Sequence, residues 1–435
     1  MHTDLNRIDF VKRLYFFLLV SILVFSSCAT TTKDFLSPVA YDDSLSIKEK
    51  LEYFGAMEVT VDLPECYFDG TKWLEAMTKL VAEAEDYILI STFLGSSSPN
   101  LENFYKTLIS KAEEGVKVYF IIDGTSSYDM TESQYYMTPL YFLREHGIEL
   151  LEYAPLSAMR IINPSAMIIR DHRKLLVVDG KKAAIGGMNI NYISLGAGEG
   201  KTQRDSMYLF NSTELAKALR DEFIAIWNAS SVEKMKAEDF PVYESEKQEY
   251  DAWLFNRGTG SDDSISGMYG SLIASAKESI VLLPYLPILN DDMARSVKNA
   301  SDRGVDVDIV MPVDLRGYAK GGLYYYFPKL LESTGATVHI SVEDKDGNEL
   351  PLLHEKMMVV DKRYVVIGSA NFNFRSMELS HELALVIDSE EFASILLKHV
   401  EDIKSNSFEL TKEMAQELKD EESSFFSYLF MYYGG

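Results

Sequence analysis

Two short stretches of this chain carry the same reactive residues at the same spacing. His172-Arg173-Lys174 is followed by four apolar residues and Asp179. His354-Glu355-Lys356 is followed by Met357, Met358, Val359, Val360 and Asp361, with the second His 182 residues after the first. Each copy then runs into a small-residue turn and an Asn: Gly186-Gly187-Met188-Asn189 and Gly368-Ser369-Ala370-Asn371. The offsets from His to Lys, Asp, the first turn Gly and Asn agree in both copies, so the unit is duplicated. A neutral, well-oriented imidazole acts as a nucleophile or carries a proton. An ammonium two residues away is a fixed positive charge for an anion. Two such pairs in one chain imply one shared site.

The elements around the motifs repeat too. In the first unit, Lys72–Glu85 reads as a helix and Tyr87–Phe93 as a strand. A helix capped by Asn100 stops at Gly115, and Val116–Ile122 is a buried strand ending at Asp123. A helix near Pro139–Glu145 and a strand over Ile148–Tyr153 lead to His172. Leu175–Val178 is apolar on both faces, as central strands are, and Ser212–Trp227 closes the unit as a helix. The second unit repeats this order. Ile280–Leu283, Val305–Met311 and Ala336–Ile340 are strands, and helices run from Asn290 to Gly304 and over Tyr324–Glu332. Alternation of this kind predicts an α/β layer structure. The expected boundaries are a first unit over 53–233, a charge-rich linker over 234–251 and a second unit over 252–410. An aromatic tail, 411–435, is expected either to pack on the second unit or to rest at a lipid interface.

A chain of 435 residues with 47% hydrophobic residues suits two cores. Its 67 acidic against 42 basic residues give a net charge of −25. That balance argues against general nucleic-acid affinity, which needs a basic surface. The cysteines, Cys28 and Cys66, build neither a disulfide framework nor a Cys-based metal site. At the start, Arg7, Lys12 and Arg13 precede an apolar run from Leu14 to Phe25, too short to cross a bilayer, which takes about 20 residues. Ser26-Ser27-Cys28-Ala29 follows. The layout is that of a secretory signal over 1–27. It resembles a bacterial lipoprotein signal, which implies a lipidated Cys28, a polar tether over 28–52 and an exported, membrane-anchored protein.

The doubled His-x-Lys-x4-Asp motif resembles the signature of the phospholipase D superfamily. Arg204-Asp205, Gly186-Gly187-Met188-Asn189 and Gly368-Ser369-Ala370-Asn371-Phe372-Asn373-Phe374-Arg375-Ser376 are most similar to the bacterial cardiolipin synthases. The resemblance implies two similar domains, each a mixed sheet between helices, related by a pseudo-two-fold with the site at their junction. It implies that His172 attacks phosphorus while His354 serves as general acid and then base, on a phospholipid such as phosphatidylglycerol. Lys174 and Lys356, placed with their histidines on one face of a strand, would hold the phosphoryl oxygens. Asn189, Asn371 and Ser369 are candidate phosphate donors. Asp205 and Glu382, 33 and 28 residues after their histidines, match the partner positions that orient the imidazoles. Asp179 and Asp361 read as structural, bonding backbone. No metal or other cofactor is expected, the phospholipid and a membrane surface are the expected partners, and the chain is expected to be monomeric. An exported nuclease of the same superfamily and a non-catalytic envelope scaffold are the competing readings.

Overall fold

A computed structural model describes residues 37–124, 140–155, 169–196, 202–243, 247–258, 262–285, 288–312, 317–341 and 351–434. The signal segment and Cys28 lie outside the described residues. No helix among the described residues is long and apolar enough to cross a membrane.

The chain starts with α1 (Ile47–Tyr53), β1 (Met57–Val61), β2 (Glu65–Tyr67) and α2 (Gly70–Ala82). There follow β3 (Tyr87–Thr92), α3 (Glu102–Glu113), β4 (Lys117–Asp123) and β5 (Glu149–Tyr153). The motif strand β6 (Leu175–Val178) precedes β7 (Lys182–Gly186), α4 (Tyr192–Leu195), β8 (Gln203–Arg204), β9 (Met207–Phe210) and α5 (Thr213–Ser230). The second unit opens with β10 (Tyr250–Arg257), α6 (Ser264–Ser275), β11 (Ser279–Leu283), α7 (Asp291–Asp302) and β12 (Asp306–Pro312). It continues through α8 (Gly317–Thr334), β13 (Thr337–Ser341), β14 (Leu352–Leu353) and the second motif strand β15 (Met357–Val360). Last come β16 (Tyr364–Gly368), α9 (Phe374–Glu378), β17 (Glu382–Asp388), α10 (Glu390–Lys404), β18 (Phe408–Glu409), α11 (Lys412–Glu422) and α12 (Phe425–Gly434).

Among the described residues, the first unit's sheet runs β2-β9-β7-β6-β3-β4-β5. The second runs β1-β10-β17-β16-β15-β11-β12-β13-β18. Strands β3, β4 and β5 are parallel, as are β11, β12 and β13; the motif strands join them antiparallel. The order β9-β7-β6-β3-β4-β5 thus recurs as β17-β16-β15-β11-β12-β13. Both sheets are mixed and lie between helices, in two like halves. Every residue of β6 and β15 is buried, which is why both read as unbroken apolar runs.

The aspartate that ends each motif sets the register of its strand. Asp179 and Asp361 adopt positive φ, 54° and 51°, a left-handed conformation that Asp tolerates better than most residues. Asp179 accepts N–H bonds from Glu85, Asp86 and Tyr87 at 2.8–2.9 Å. Asp361 accepts from Lys277, Glu278 and Ser279. Each carboxylate thereby ties the end of its motif strand to the start of the neighbouring strand.

One boundary differs from expectation, and at the C-terminus one of the two expected outcomes is seen. β1 pairs antiparallel with β10, Met57 opposite Leu254, so the first described part of the chain belongs to the second unit's sheet rather than to the first unit. The reason is that α1, with Leu51 and Phe54, packs into the outer core of the second unit beside α6. At the other end, the expected tail folds as α11 and α12 and buries Met431 in that same core. A middle core joins the halves: Leu175, Val177 and Phe223 of the first unit with Val359, Leu385 and Phe392 of the second.

Candidate active site

Each His-x-Lys segment lies in extended chain just before its motif strand, since β6 starts at Leu175 and β15 at Met357. The expectation that His and Lys sit within the strand is therefore corrected. Their backbone instead bonds the opposite half. His172 N–H donates to the carbonyl of His381 at 3.0 Å, and His381 N–H to that of Arg170 at 2.9 Å. His354 N–H donates to the carbonyl of Arg204 at 2.7 Å, and β14 pairs with β8. His381 and Arg204 immediately precede Glu382 and Asp205, so this bonding carries each carboxylate to the other half's histidine.

The side chains follow. His172 Nδ1 lies 3.1 Å from Glu382 Oε2, and His354 Nδ1 lies 2.5 Å from Asp205 Oδ2. The two carboxylates expected beside the imidazoles do contact them, but exchanged: Glu382 lies against His172 of the first motif and Asp205 against His354 of the second. The carbonyl of Ser369 also lies 3.1 Å from His172 Nδ1. Both partners of that nitrogen are acceptors, so it carries the proton and Nε2 keeps the lone pair. Lys174 Nζ donates to the carbonyl of His172 at 2.5 Å, and Lys356 Nζ bonds the carbonyl of His354. An ammonium has three N–H donors, so at Lys174 the carbonyl bond leaves donors for an anion, whereas Lys356 Nζ is also 2.7 Å from His354 Nδ1. Lys356 also lies 3.6 Å from Asp205.

Ser369 is not placed as a phosphate donor. Its hydroxyl donates to Glu382 Oε2 at 2.5 Å and accepts from Leu383 N–H at 3.0 Å. Ser376 donates to the other oxygen, Oε1, at 2.6 Å. The equivalent of Ser369 is Gly187, where a Cβ would come within 2.2 Å of Asp205 Oδ1. The halves thus solve one problem differently: the shorter Asp packs against Gly, and the longer Glu is held by serines. Asn189 accepts from Leu94 N–H through Oδ1 at 3.1 Å, which leaves its NH2 group to donate. Asn371 occupies the matching position, and the counterpart of Leu94 lies outside the described residues.

Two aromatic residues complete the site. The Phe93 ring meets His172 edge-on at 5.0 Å, with Lys174 Nζ 5.4 Å from its centroid. The Tyr285 ring lies 4.1 Å from His354, with Lys356 Nζ 5.1 Å away. Each backs its imidazole and draws the ammonium to the same side. They occupy matching positions just beyond β3 and β11. Sequence reasoning passed over this role, although the shared offset from the motif strands was the available signal.

Burial is nearly complete: the His172 and His354 side chains keep 12% and 8% exposure, and Glu382 and Asp205 none. Burial pushes the His172 imidazole down to about 4, against the pull of Glu382. Burial, helped by Lys356, pushes His354 down to about 3. Both rings are therefore neutral at pH 7. Burial also brings Lys174 to about 7 and Lys356 to about 8, opposed by Glu382 and Asp205 respectively. It would raise both carboxyls, but Lys356 and His354 outweigh it at Asp205, and His172 and Lys174 at Glu382, so both stay below their usual range. Each histidine also feels the opposite motif's lysine, so both pairs share one electrostatic site. Such a cluster presents neutral imidazole nitrogens and two titratable cations to a phosphodiester anion.

The family profile described as cardiolipin synthase, PLD-like domain, matches residues 77–227 and 269–404. Cardiolipin synthase 2 of Bacillus cereus is 28% identical over 334 residues, covering 74% of this chain and 60% of that protein. A probable cardiolipin synthase of Bacillus subtilis is 26% identical over 360 residues, covering 79% and 66%. The chain thus matches about 60% of the length of the first of these relatives. The crystal structure of phosphatidylserine synthase from Haemophilus influenzae has the same fold, with a TM-score of 0.68 at 14% identity, over 89% of this chain and 100% of that one. The profile takes in both halves and both motifs, and the chain therefore belongs to the cardiolipin synthase, PLD-like domain family.

Proposed function

We propose that this chain is a phosphatidyltransferase of the cardiolipin synthase type, working through a phosphohistidine. The observation that carries the reading is the exchanged pair of His–carboxylate couples in one buried site. Nε2 of His172, kept unprotonated by the bonds at Nδ1, attacks phosphorus as the bond to the leaving alcohol breaks. His354, neutral in the empty site, takes up a proton from solvent as the substrate binds, and the leaving oxygen then takes that proton from its Nε2. The arriving phosphodiester is an anion, and its charge raises the proton affinity of that ring. In the second half, His354 takes the proton of the incoming hydroxyl, whose oxygen attacks phosphorus as the P–N bond breaks. Lys174, Lys356 and the NH2 group of Asn189 stabilise the phosphoryl oxygens throughout. The relatives' names favour cardiolipin as the product, and phosphatidylglycerol is the donor and acceptor of this proposal; water as acceptor makes the same machinery a phospholipase D. Both couples come from one chain, so a monomer suffices. The acidic surface weighs against the nuclease reading, and two intact couples weigh against a scaffold.

Lipid profiles of cells expressing wild type and His172→Ala test this. Cardiolipin gained only with wild type supports transfer; phosphatidic acid gained only with wild type supports hydrolysis. Indistinguishable lipids overturn the reading. We also propose that Cys28 carries a lipid anchor on an exported protein, and labelling the same cells with palmitate, beside a Cys28→Ser strain, checks it: unlabelled wild type sinks the anchor.

The pH profile follows from the lysines. A cation binds the phosphodiester only while protonated, so kcat/KM is expected to fall as pH rises through about 7 to 8, where Lys174 and Lys356 lose charge. On the acid side it should fall below about 4, where His172 gains a proton and loses its lone pair. A profile still rising at pH 9 would rule out cationic lysines as the phosphate clamp.

A further inference from the structure

Helix α12 has two unlike faces. Met431 is buried in the outer core. Tyr428 stacks on Tyr326 of α8 at 5.8 Å, and Tyr432 stacks on Phe374 at 5.5 Å. The other face carries Phe426 and Phe430, which are 71% and 63% exposed, while Phe425, 47% exposed, lies on the packed side against Tyr325 of α8 at 5.4 Å. Phe426 and Phe430 are four residues apart, hence neighbours on one side of the helix. Large exposed aromatic side chains gathered on one helix face mark an interaction surface.

We propose that this ridge inserts into the interfacial zone of a phospholipid bilayer and delivers the substrate's surface to the active site. The proposal deepens the phospholipid-transfer reading and rests on it for the choice of partner. Three observations select a lipid surface. First, residues 425–434 contain no Asp, Glu, Lys or Arg, and the preceding α11, with sequence KEMAQELKDEE, is acidic. Uncharged aromatic rings suit the headgroup and upper acyl zone of a bilayer, and the acidic helix beside them favours a zwitterionic lipid surface over a polyanion such as nucleic acid. Second, the ridge is mechanically continuous with the site. Phe374, on which Tyr432 stacks, starts α9, and Ser376 of α9 holds Glu382. Third, Ala40, at the start of the described chain, is buried in the same outer core as Met431. From Cys28 to Ser37 is nine residues, a reach of about 30 Å when extended. The lipid anchor proposed above for Cys28 would keep that outer layer close to the membrane.

Trp73, Trp227 and Trp253 are all buried, so a tryptophan placed on the ridge gives a distinct signal. The full chain carrying Phe426→Trp is mixed with phosphatidylcholine vesicles whose acyl chains are brominated. Contact quenching of the new tryptophan, beyond that of the native three, is expected, together with insensitivity to salt. Phe426→Ser with Phe430→Ser should weaken vesicle binding on the order of tenfold or more and leave turnover of a monomeric short-chain phosphodiester unchanged. Absent quenching overturns the proposal, as does quenching that salt abolishes. A sedimentation change from dimer to monomer in the double serine variant assigns the ridge to a second copy instead, and loss of turnover on both substrates assigns it a structural role. Quenching needs no catalysis. Quenching by an enzyme inactive on all phosphodiesters therefore sinks the transfer reading and leaves membrane docking standing.

Discussion

His354→Ala is expected to turn the protein into a single-turnover reagent. Steady-state transfer from a natural phospholipid should fall on the order of 10^4-fold, because both the departing alkoxide and the incoming hydroxyl lose their proton carrier. A nitrophenyl phosphodiester needs no such help, since nitrophenolate leaves unprotonated. With it the variant should release close to one nitrophenolate per chain in a rapid burst and then stall. Intact-mass measurement should find the phosphoryl adduct, and peptide mapping should place it on His172. His172→Ala, equally inactive at steady state, should show neither burst nor adduct. A burst from His172→Ala and none from His354→Ala would reverse the roles, and no burst from either would remove the covalent intermediate.

The exchanged carboxylates make the second large prediction. Glu382→Gln keeps the shape beside His172 but loses the charge that fixes its tautomer. Burst formation on the activated ester should slow by about 10^2- to 10^4-fold, as when an orienting carboxylate beside a catalytic histidine is made an amide. Asp205→Asn should leave that burst rate near wild type and slow the release step instead, because Asp205 serves His354 at 2.5 Å. Rate and amplitude separate chemistry from folding: a partly unfolded sample loses amplitude, whereas lost orientation lowers the rate. If each carboxylate served its own half, the two variants would swap phenotypes.

Much of the framework was legible in the sequence because it is local. The run Leu175–Val178 matches β6 residue for residue. The strand ending at Asp123 and the helix capped by Asn290 also lie where the pattern placed them. Asp179 and Asp361 could be set apart from the reacting groups by their offset from the lysines. What escaped was long-range. β1 is a five-residue edge strand, half exposed, and nothing in Met57–Val61 names β10 as its partner. Asp205 and Glu382 were visible as residues, but spacing along the chain favours the nearer histidine, and only the backbone bonds at His381 and Arg204 reverse that preference. Ser369 looked like a donor to phosphate because its neighbours are; its hydroxyl is taken by a carboxylate that approaches from the next strand. Phe93 and Tyr285 resembled ordinary strand-end core.

The swap of acids between the halves bears on what a half-length chain is able to do. A polypeptide holding the first motif and Asp205 has an imidazole without its anchor and an anchor without its imidazole, and the other half is deficient in the same way. On the proposed mechanism neither is a weaker version of the whole, because each lacks a complete His–carboxylate couple. Completeness returns only when a second copy supplies the missing member across a true symmetry axis, as in a homodimer of identical halves. Joined end to end, the halves no longer have to match, and here they have drifted apart: Asp beside Gly on one side, Glu among serines on the other, phenyl behind one imidazole and phenol behind its twin.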